Sequence, residues 1–169
     1  SSVLFVFHGA NNTVDSIMKY FAFHKKWPNA VVVYMQGLVT WPVQHLPDGK
    51  IRIGTGWQVN VGDEGDRDLK FFDAVLATML RENHIDKKRI YAVGHSNGAM
   101  FTYLLWQTHG KTFAAVAAVA GFLYGDSFSR VKKAEATNDA ASELSSYLVN
   151  TNQCPLAPKP VFCVAGAKT

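Results

Sequence analysis

The sequence predicts an α/β domain, a mostly parallel central sheet flanked by helices, and three observations carry this. Largely apolar runs of strand length recur at residues 3–7, 30–34, 89–93, 113–120 and 161–165. They are continuous rather than alternating, as strands covered on both faces are. Segments with apolar residues at helical spacing separate several of them, and strand alternating with helix is the pattern of a parallel sheet. The length of 169 residues and a hydrophobic content of 48% fit one domain with a sizeable core, so a single domain over residues 1–169 is expected.

The first run, residues 3–7, is followed by the turn His8-Gly9-Ala10-Asn11-Asn12-Thr13. Thr13 is a candidate cap for a helix carrying Val14, Ile17, Met18 and Phe21 on one face, with Ser16 rather than an acid at the third helical position. Lys25 and Lys26 sit near the end of this helix, where positive charge suits the dipole, and Pro28-Asn29 stops it before the second strand, residues 30–34. Residues 35–65 read as a long connection punctuated by Gly and Pro, with Trp41, Pro42, Trp57 and Gln58 embedded in it. A loop of that length without its own elements is usually functional or disordered, and two tryptophans argue against disorder. Trp41 and Trp57 therefore either cover the helix layer or wall a substrate pocket.

Acids concentrate in Gly62-Asp63-Glu64-Gly65-Asp66-Arg67-Asp68 ahead of a helix whose Leu69, Phe72, Val75, Leu76, Met79 and Leu80 repeat at helical spacing. Helix capping and dipole complementarity explain the acids better than a metal site, since no histidine accompanies them. After the turn Ile85-Asp86-Lys87-Lys88 come the strand at residues 89–93, the sequence Gly94-His95-Ser96-Asn97-Gly98 and a helix over residues 99–107, with Gly110 as its stop. Residues 113–120 form the next strand, residues 139–149 a short helix, Cys154 to Pro160 a loop, and residues 161–165 a last strand.

Ser96 between Gly94 and Gly98 matches the pattern G-x-S-x-G. In a chain with 13 glycines the bare pattern is weak. The strand before it and the helix after it are the context of a nucleophile elbow, in which the serine sits at the tip of a tight turn. Strand and helix approach so closely there that a Cβ at Gly94 or Gly98 would clash. The free N–H groups and positive dipole end of the following helix can stabilise a developing oxyanion.

Composition excludes several alternatives. The net charge is +4, but the 17 basic residues are scattered, and doublets such as Lys25-Lys26 and Lys132-Lys133 have no interleaved aromatics. A solvated face is expected, and neither a nucleic-acid partner nor a membrane is indicated. The apolar run at residues 113–122 is too short to span a bilayer. Cys154 and Cys163 do not make a disulfide framework; one bridge between loop and strand, or a buried Cys163 with a free Cys154, are both open. His24, His45 and His84 cluster with no cysteines or acids, so no metal is expected.

His8-Gly9 after the first strand, Asp66-Arg67-Asp68-Leu69 opening a helix with Phe71-Phe72-Asp73, the elbow Gly94-His95-Ser96-Asn97-Gly98-Ala99-Met100, and Phe113-Ala-Ala-Val116 closing on Ala120-Gly121 resemble the α/β-hydrolase serine esterases. Within them the resemblance is to the polyhydroxybutyrate-depolymerase-like and feruloyl/acetylxylan-esterase-like branch, and it spans residues 3–166. It implies Ser96 as the nucleophile and the N–H of Asn97 as one oxyanion donor, with the N–H of Ala10 as the other. It further implies hydrolysis of feruloyl, acetyl or short hydroxyacyl esters, on small molecules or polymers, with no cofactor and in a secreted or periplasmic setting.

The order implied by the resemblance is serine, acid, histidine. After Ser96 the only histidine is His109, at the far end of the elbow helix. About thirteen residues at 1.5 Å each put it roughly 20 Å from Ser96, far beyond hydrogen-bond reach. His95 is expected to project into packing, and His8 resembles a structural part of the oxyanion turn. The acid belongs after the strand at residues 161–165, with Asp126 as the alternative position. The expectation is therefore a partial domain, lacking its N-terminal strands and its C-terminal strand–helix end, with the acid and histidine beyond Thr169 and little turnover if the molecule ends there. Two rivals stand beside the esterase: a non-catalytic domain binding a ligand between Trp41, Trp57 and the elbow, and a serine peptidase on the same scaffold.

Overall fold

Because the apolar runs cannot be left in water, they pair with one another and are covered from both sides. The computed structural model describes residues 1–123, apart from the side chains of residues 41–44 and 52–53, together with the backbone of residues 161–164. Asp126, the helix expected over residues 139–149, Cys154 and any pairing with the Cys163 thiol lie outside the described residues. In chain order the elements are β1 (Ser2–Phe7), α1 (Val14–Phe21), α2 (Phe23–Lys26), β2 (Ala30–Met35), β3 (Leu38–His45), β4 (Ile51–Gly56), α3 (Arg67–Glu82), β5 (Ile90–His95), α4 (Asn97–His109), β6 (Ala115–Val119) and β7 (Val161–Val164). A single turn of 3₁₀ helix, Asp63–Asp66, precedes α3.

Five strands form one sheet in the order β2-β1-β5-β6-β7, and every pairing in it is parallel. This is the mostly parallel sheet flanked by helices that the sequence predicts. β1 lies between β2 and β5, and all six of its residues are buried. Its side chains alternate between two cores. Val3, Phe5 and Phe7 pack with Leu69 and Phe72 of α3 and with Phe101, Leu104 and Leu105 of α4. Leu4 and Val6 pack with Ile17 of α1 and Val93 of β5 on the other face. Burying each such phenylalanine contributes about 2–3 kcal/mol. α4 is buried around most of its circumference, from Asn97 to Trp106 with Met100 half-buried, which marks it as the central helix of its layer.

Two expectations are corrected. The first helix does not run unbroken to Lys26. Thr13 does cap α1, its hydroxyl accepting from Ser16 N at 3.3 Å, but α1 ends at Phe21 because Ala22 takes a left-handed conformation, φ 48° and ψ 39°. In a straight helix Phe21 and Phe23 would point about 200° apart. The break lets both rings stack, 5.1 Å between centroids, and face the same core with Trp27. No glycine or proline in the sequence signals it.

Residues 35–65 are not an element-free connection either. β3 and β4 pair as an antiparallel ribbon, with irregularities in register between Val39 and Trp41 and between Trp41 and Gln44. Bulges, Pro42, and exposure of Leu38, Val39 and Ile51 together erase the period-two pattern that announces a strand. The ribbon is anchored where it meets the sheet. Asn11 N donates to Thr55 O at 2.7 Å, and Thr55 Oγ1 donates to Asn12 O at 2.8 Å.

Candidate active site

β5 delivers the chain to Ser96, and α4 carries it away. Between them Ser96 is held at φ 54° and ψ −117°, a conformation that a residue with a Cβ rarely adopts and that costs on the order of 1–3 kcal/mol. The surroundings enforce it. Ser96 N donates to Val119 O at 2.9 Å, while Ala99 N and Met100 N donate to Ser96 O at 2.9 and 3.2 Å. A Cβ on Gly94 would strike the Gly98 carbonyl, and one on Gly98 would strike the Phe7 carbonyl and come within 2.6 Å of the His8 carbonyl oxygen. The elbow expected from the sequence is therefore present, and its two glycines are required by close backbone approach. The Ser96 side chain is half-buried at the carboxyl end of the strands, at the N-terminus of α4. The first N–H groups of any helix, that of Asn97 here, have no acceptor within the helix.

The turn after β1 borders the same point. Gly9 is buried against the elbow, and a Cβ built on it would lie 3.3 Å from Ser96 Cβ and 3.2 Å from His95 Nδ1. Ala10 follows at the exposed edge of that turn. The structure thus brings Ser96, Asn97 and the His8-Gly9-Ala10 turn together, as the sequence suggests.

His8 is fully buried and structural. Its Nε2 accepts from Gly37 N at 2.9 Å and lies 2.9 Å from Gln36 Nε2, so the ring proton sits on Nδ1, 2.8 Å from Gly9 O. Burial lowers its pKa below the usual 6.5, partly opposed by the hydrogen bond to the Gly9 carbonyl. A neutral ring with both nitrogens occupied is unsuited to take a proton from Ser96. His95 packs toward α1, against the rings of Tyr20 and Phe21. His109 sits at the far end of α4, bonded to Asp73 Oδ1 of α3 at 3.0 Å.

Trp57 contradicts the pocket-wall expectation. Its side chain is fully buried, stacked on Phe101 with centroids 5.2 Å apart and edge-on to Phe7 at 5.2 Å. A residue with no exposed surface cannot line a cleft open to substrate; it is core. The Trp41 side chain lies outside the described side chains.

The residues that sequence reasoning missed are the polar ones around Trp57. Trp57 Nε1 donates to His8 O at 2.9 Å. Trp57 N donates to Asn97 Oδ1 at 2.8 Å, and Asn97 Nδ2 donates back to Trp57 O at 3.0 Å. Next to it, the Gln58 side-chain oxygen accepts from Asp68 N and Leu69 N, so Gln58 rather than an acid caps the start of α3. The acids instead shape the loop before the helix. Asp63 Oδ2 accepts from Val59 N and Asn60 N, and Asp66 Oδ1 accepts from Gly62 N and Gln58 Nε2. These bonds hold the Asp66 carboxyl below its ordinary pKa, the Gly62 amide contributing most. Buried Asp68 accepts from Gln58 N at 2.7 Å and pairs with Arg67, which also reaches Thr40 Oγ1 of the ribbon at 3.0 Å. Among the described residues no group of three or more His, Cys, Asp or Glu is placed to hold a metal ion, and no helix is long and apolar enough to cross a membrane.

Comparison with known proteins agrees with this geometry. The chain is 29% identical over 121 residues to dipeptidyl-peptidase 5 of Porphyromonas gingivalis, a match covering 71% of this chain and 16% of that protein. It is 30% identical over 95 residues to a bifunctional acetylxylan esterase/xylanase of Neocallimastix patriciarum, covering 52% of this chain and 14% of that protein. The chain thus spans a small fraction of the curated relatives it matches. Its fold is shared with the substrate-bound fluorophosphonate-binding serine hydrolase F of Staphylococcus aureus, with a TM-score of 0.58 at 13% identity over 98% of this chain and 76% of that one. Residues 34–154 match Peptidase_S9, the prolyl oligopeptidase family. With the elbow, the parallel sheet and that match in agreement, the chain belongs to the prolyl oligopeptidase family, serine hydrolases on the α/β-hydrolase scaffold.

Proposed function

We propose that this chain is the nucleophile-bearing part of a serine hydrolase acting on carboxylic esters, with feruloyl, acetyl or short hydroxyacyl esters as the substrate class. The observation that carries this is the backbone of Ser96, strained at φ 54° between a strand and the N-terminus of a buried helix. Ser96 Oγ attacks the ester carbonyl carbon and loses its proton to a base. The tetrahedral oxyanion takes hydrogen bonds from the N–H of Asn97 and of Ala10. Collapse breaks the bond to the alkoxy oxygen, which leaves as the alcohol with that proton, and Ser96 is left acylated. Water then attacks the acyl carbon, releasing the acid and restoring the hydroxyl. Each oxyanion donor is worth around 2.7–4 kcal/mol of barrier. His8, with both ring nitrogens bonded, and His109, paired with Asp73 at the far end of α4, are not placed to act as that base, and His95 turns its ring toward Tyr20 and Phe21.

A second reading is favoured by a specific observation: the matched family is a peptidase family, and one relative is named a dipeptidyl-peptidase. In it Ser96 does the same work on an amide. The two separate on the full-length polypeptide by comparing p-nitrophenyl acetate with dipeptidyl p-nitroanilides. Ester cleavage at least about a hundredfold faster in kcat/KM, abolished by Ser96→Ala, supports the esterase. The reverse preference assigns the peptidase.

A further inference from the structure

We infer that Trp57 and the Asn97 carboxamide form a positioning unit that fixes the distance between the two amides facing the oxyanion. This rests on the assignment of Ser96, Asn97 and Ala10 made above. The two amides come from separate parts of the chain, the turn after β1 and the start of α4, and Trp57 is hydrogen-bonded to each part, though to neither amide itself. Through its indole N–H it holds the His8 carbonyl, 49 residues away in sequence, at the base of the turn that ends in Ala10. Through its own main chain it makes a closed pair of hydrogen bonds with the Asn97 side chain, 40 residues in the other direction.

The pair is specific to asparagine. One carboxamide offers the acceptor that the Trp57 N–H needs and the donor that the Trp57 carbonyl needs, at 2.8 and 3.0 Å. An aspartate at position 97 would set a carboxylate against that carbonyl, and a leucine would leave two buried backbone groups unpaired. Asn97 is 4% exposed and Trp57 is 0% exposed, so neither bond competes with water. The ring is clamped between Phe7 of β1 and Phe101 of α4, the elements that lead into the turn and out of the elbow. A Cβ on Gly37 would meet the indole Cε2 at 3.1 Å and the Gly56 carbonyl carbon at 2.9 Å, so the ring has no room to shift on that side. Any buried tryptophan needs partners for its indole N–H and its main chain; what marks Trp57 is that those partners lie on both halves of the site.

Trp57→Phe keeps an aromatic ring and deletes the indole donor; Asn97→Ala deletes both carboxamide bonds and leaves the Asn97 main-chain amide in place. On the full-length polypeptide, each is measured for kcat and KM on p-nitrophenyl acetate, for inhibition by an alkylboronic acid that forms a tetrahedral adduct on the serine, and for thermal melting. Misaligned oxyanion donors lower kcat by about ten- to a hundredfold while KM stays within about twofold, because only the transition state feels them. The boronate Ki rises by the same factor. A folded variant whose kcat and boronate Ki stay within about twofold of wild type overturns the inference. So does a pair of variants that lose their fold without first losing turnover, since the network then serves stability alone. Turnover that survives Ser96→Ala marks a failure of the nucleophile assignment instead.

Discussion

Ser96 combines the least favourable backbone angles among the described elements' termini with the most crowded glycine neighbours, and that combination decides what its surroundings tolerate. Gly98→Ala drives a methyl group into the Phe7 and His8 carbonyls, which are backbone and cannot rotate away. The expected loss is about 3 kcal/mol, read as a shift in the denaturant midpoint. His8 supplies a different test at this scale. Its folded-state pKa lies below the unfolded value near 6.5, because burial penalises the charged ring. The folded state therefore binds fewer protons than the unfolded one below that pH. Its contribution to stability is complete above about pH 6.5 and declines as pH falls from there toward the depressed folded value. Asp66, with a lowered pKa of its own, acts in a separate window below about pH 3.8, so the two are distinguishable. Melting temperature followed from pH 8 to pH 5 should fall below pH 6.5, and a flat profile there would mean that His8 is not buried neutral.

At the level of elements, legibility tracked how local the determining contacts are. The Thr13 cap, the α3 stripe from Leu69 to Leu80 and the Gly94–Gly98 approach within the elbow depend on neighbours within a turn or two, and each is readable from spacing, although the Phe7, His8 and Val119 contacts that complete the elbow are long-range. The β3–β4 ribbon is not, because bulges and solvent exposure remove its alternation. The break at Ala22 is not, because it is imposed by the side chains that must reach the sheet rather than by a residue that favours left-handed angles. The start of α3 is the clearest case. The acids before it look like caps, yet the cap is Gln58, ten residues before Asp68 and reachable only through the fold of the intervening loop. Gln58→Leu leaves the Asp68 and Leu69 amides without that acceptor and removes a partner of Asp66. It should cost about 2 kcal/mol in thermal or denaturant unfolding, and Gln58→Glu should not restore it, because a carboxylate replaces the amide that donates to Asp66 Oδ1 and Asn60 O.

Over the whole molecule, the parallel sheet sets the site. β1 and β5 lie side by side, so the turns that leave their carboxyl ends are neighbours, and Gly9 meets Ser96 there. The strand order is not legible in the sequence; the resemblance to the α/β-hydrolase esterases is what implies the motifs after β1 and β5 as halves of one site, and the topology supplies the physical reason. What the sequence does not reveal is the tie between them. A tryptophan is equally compatible with a pocket wall and a core, and only long-range contacts decide; for Trp57 they make it core, bonded to both halves. Membership in the prolyl oligopeptidase family fits the same arrangement of strand, elbow and buried helix.

Whether Ser96 is a nucleophile is tested by covalent labelling of the full-length polypeptide with a fluorophosphonate, read by intact mass and peptide mapping. A single adduct on the peptide containing Ser96, absent in Ser96→Ala, is the predicted result. No adduct on a folded, full-length protein, or an adduct that persists in Ser96→Ala, would contradict it.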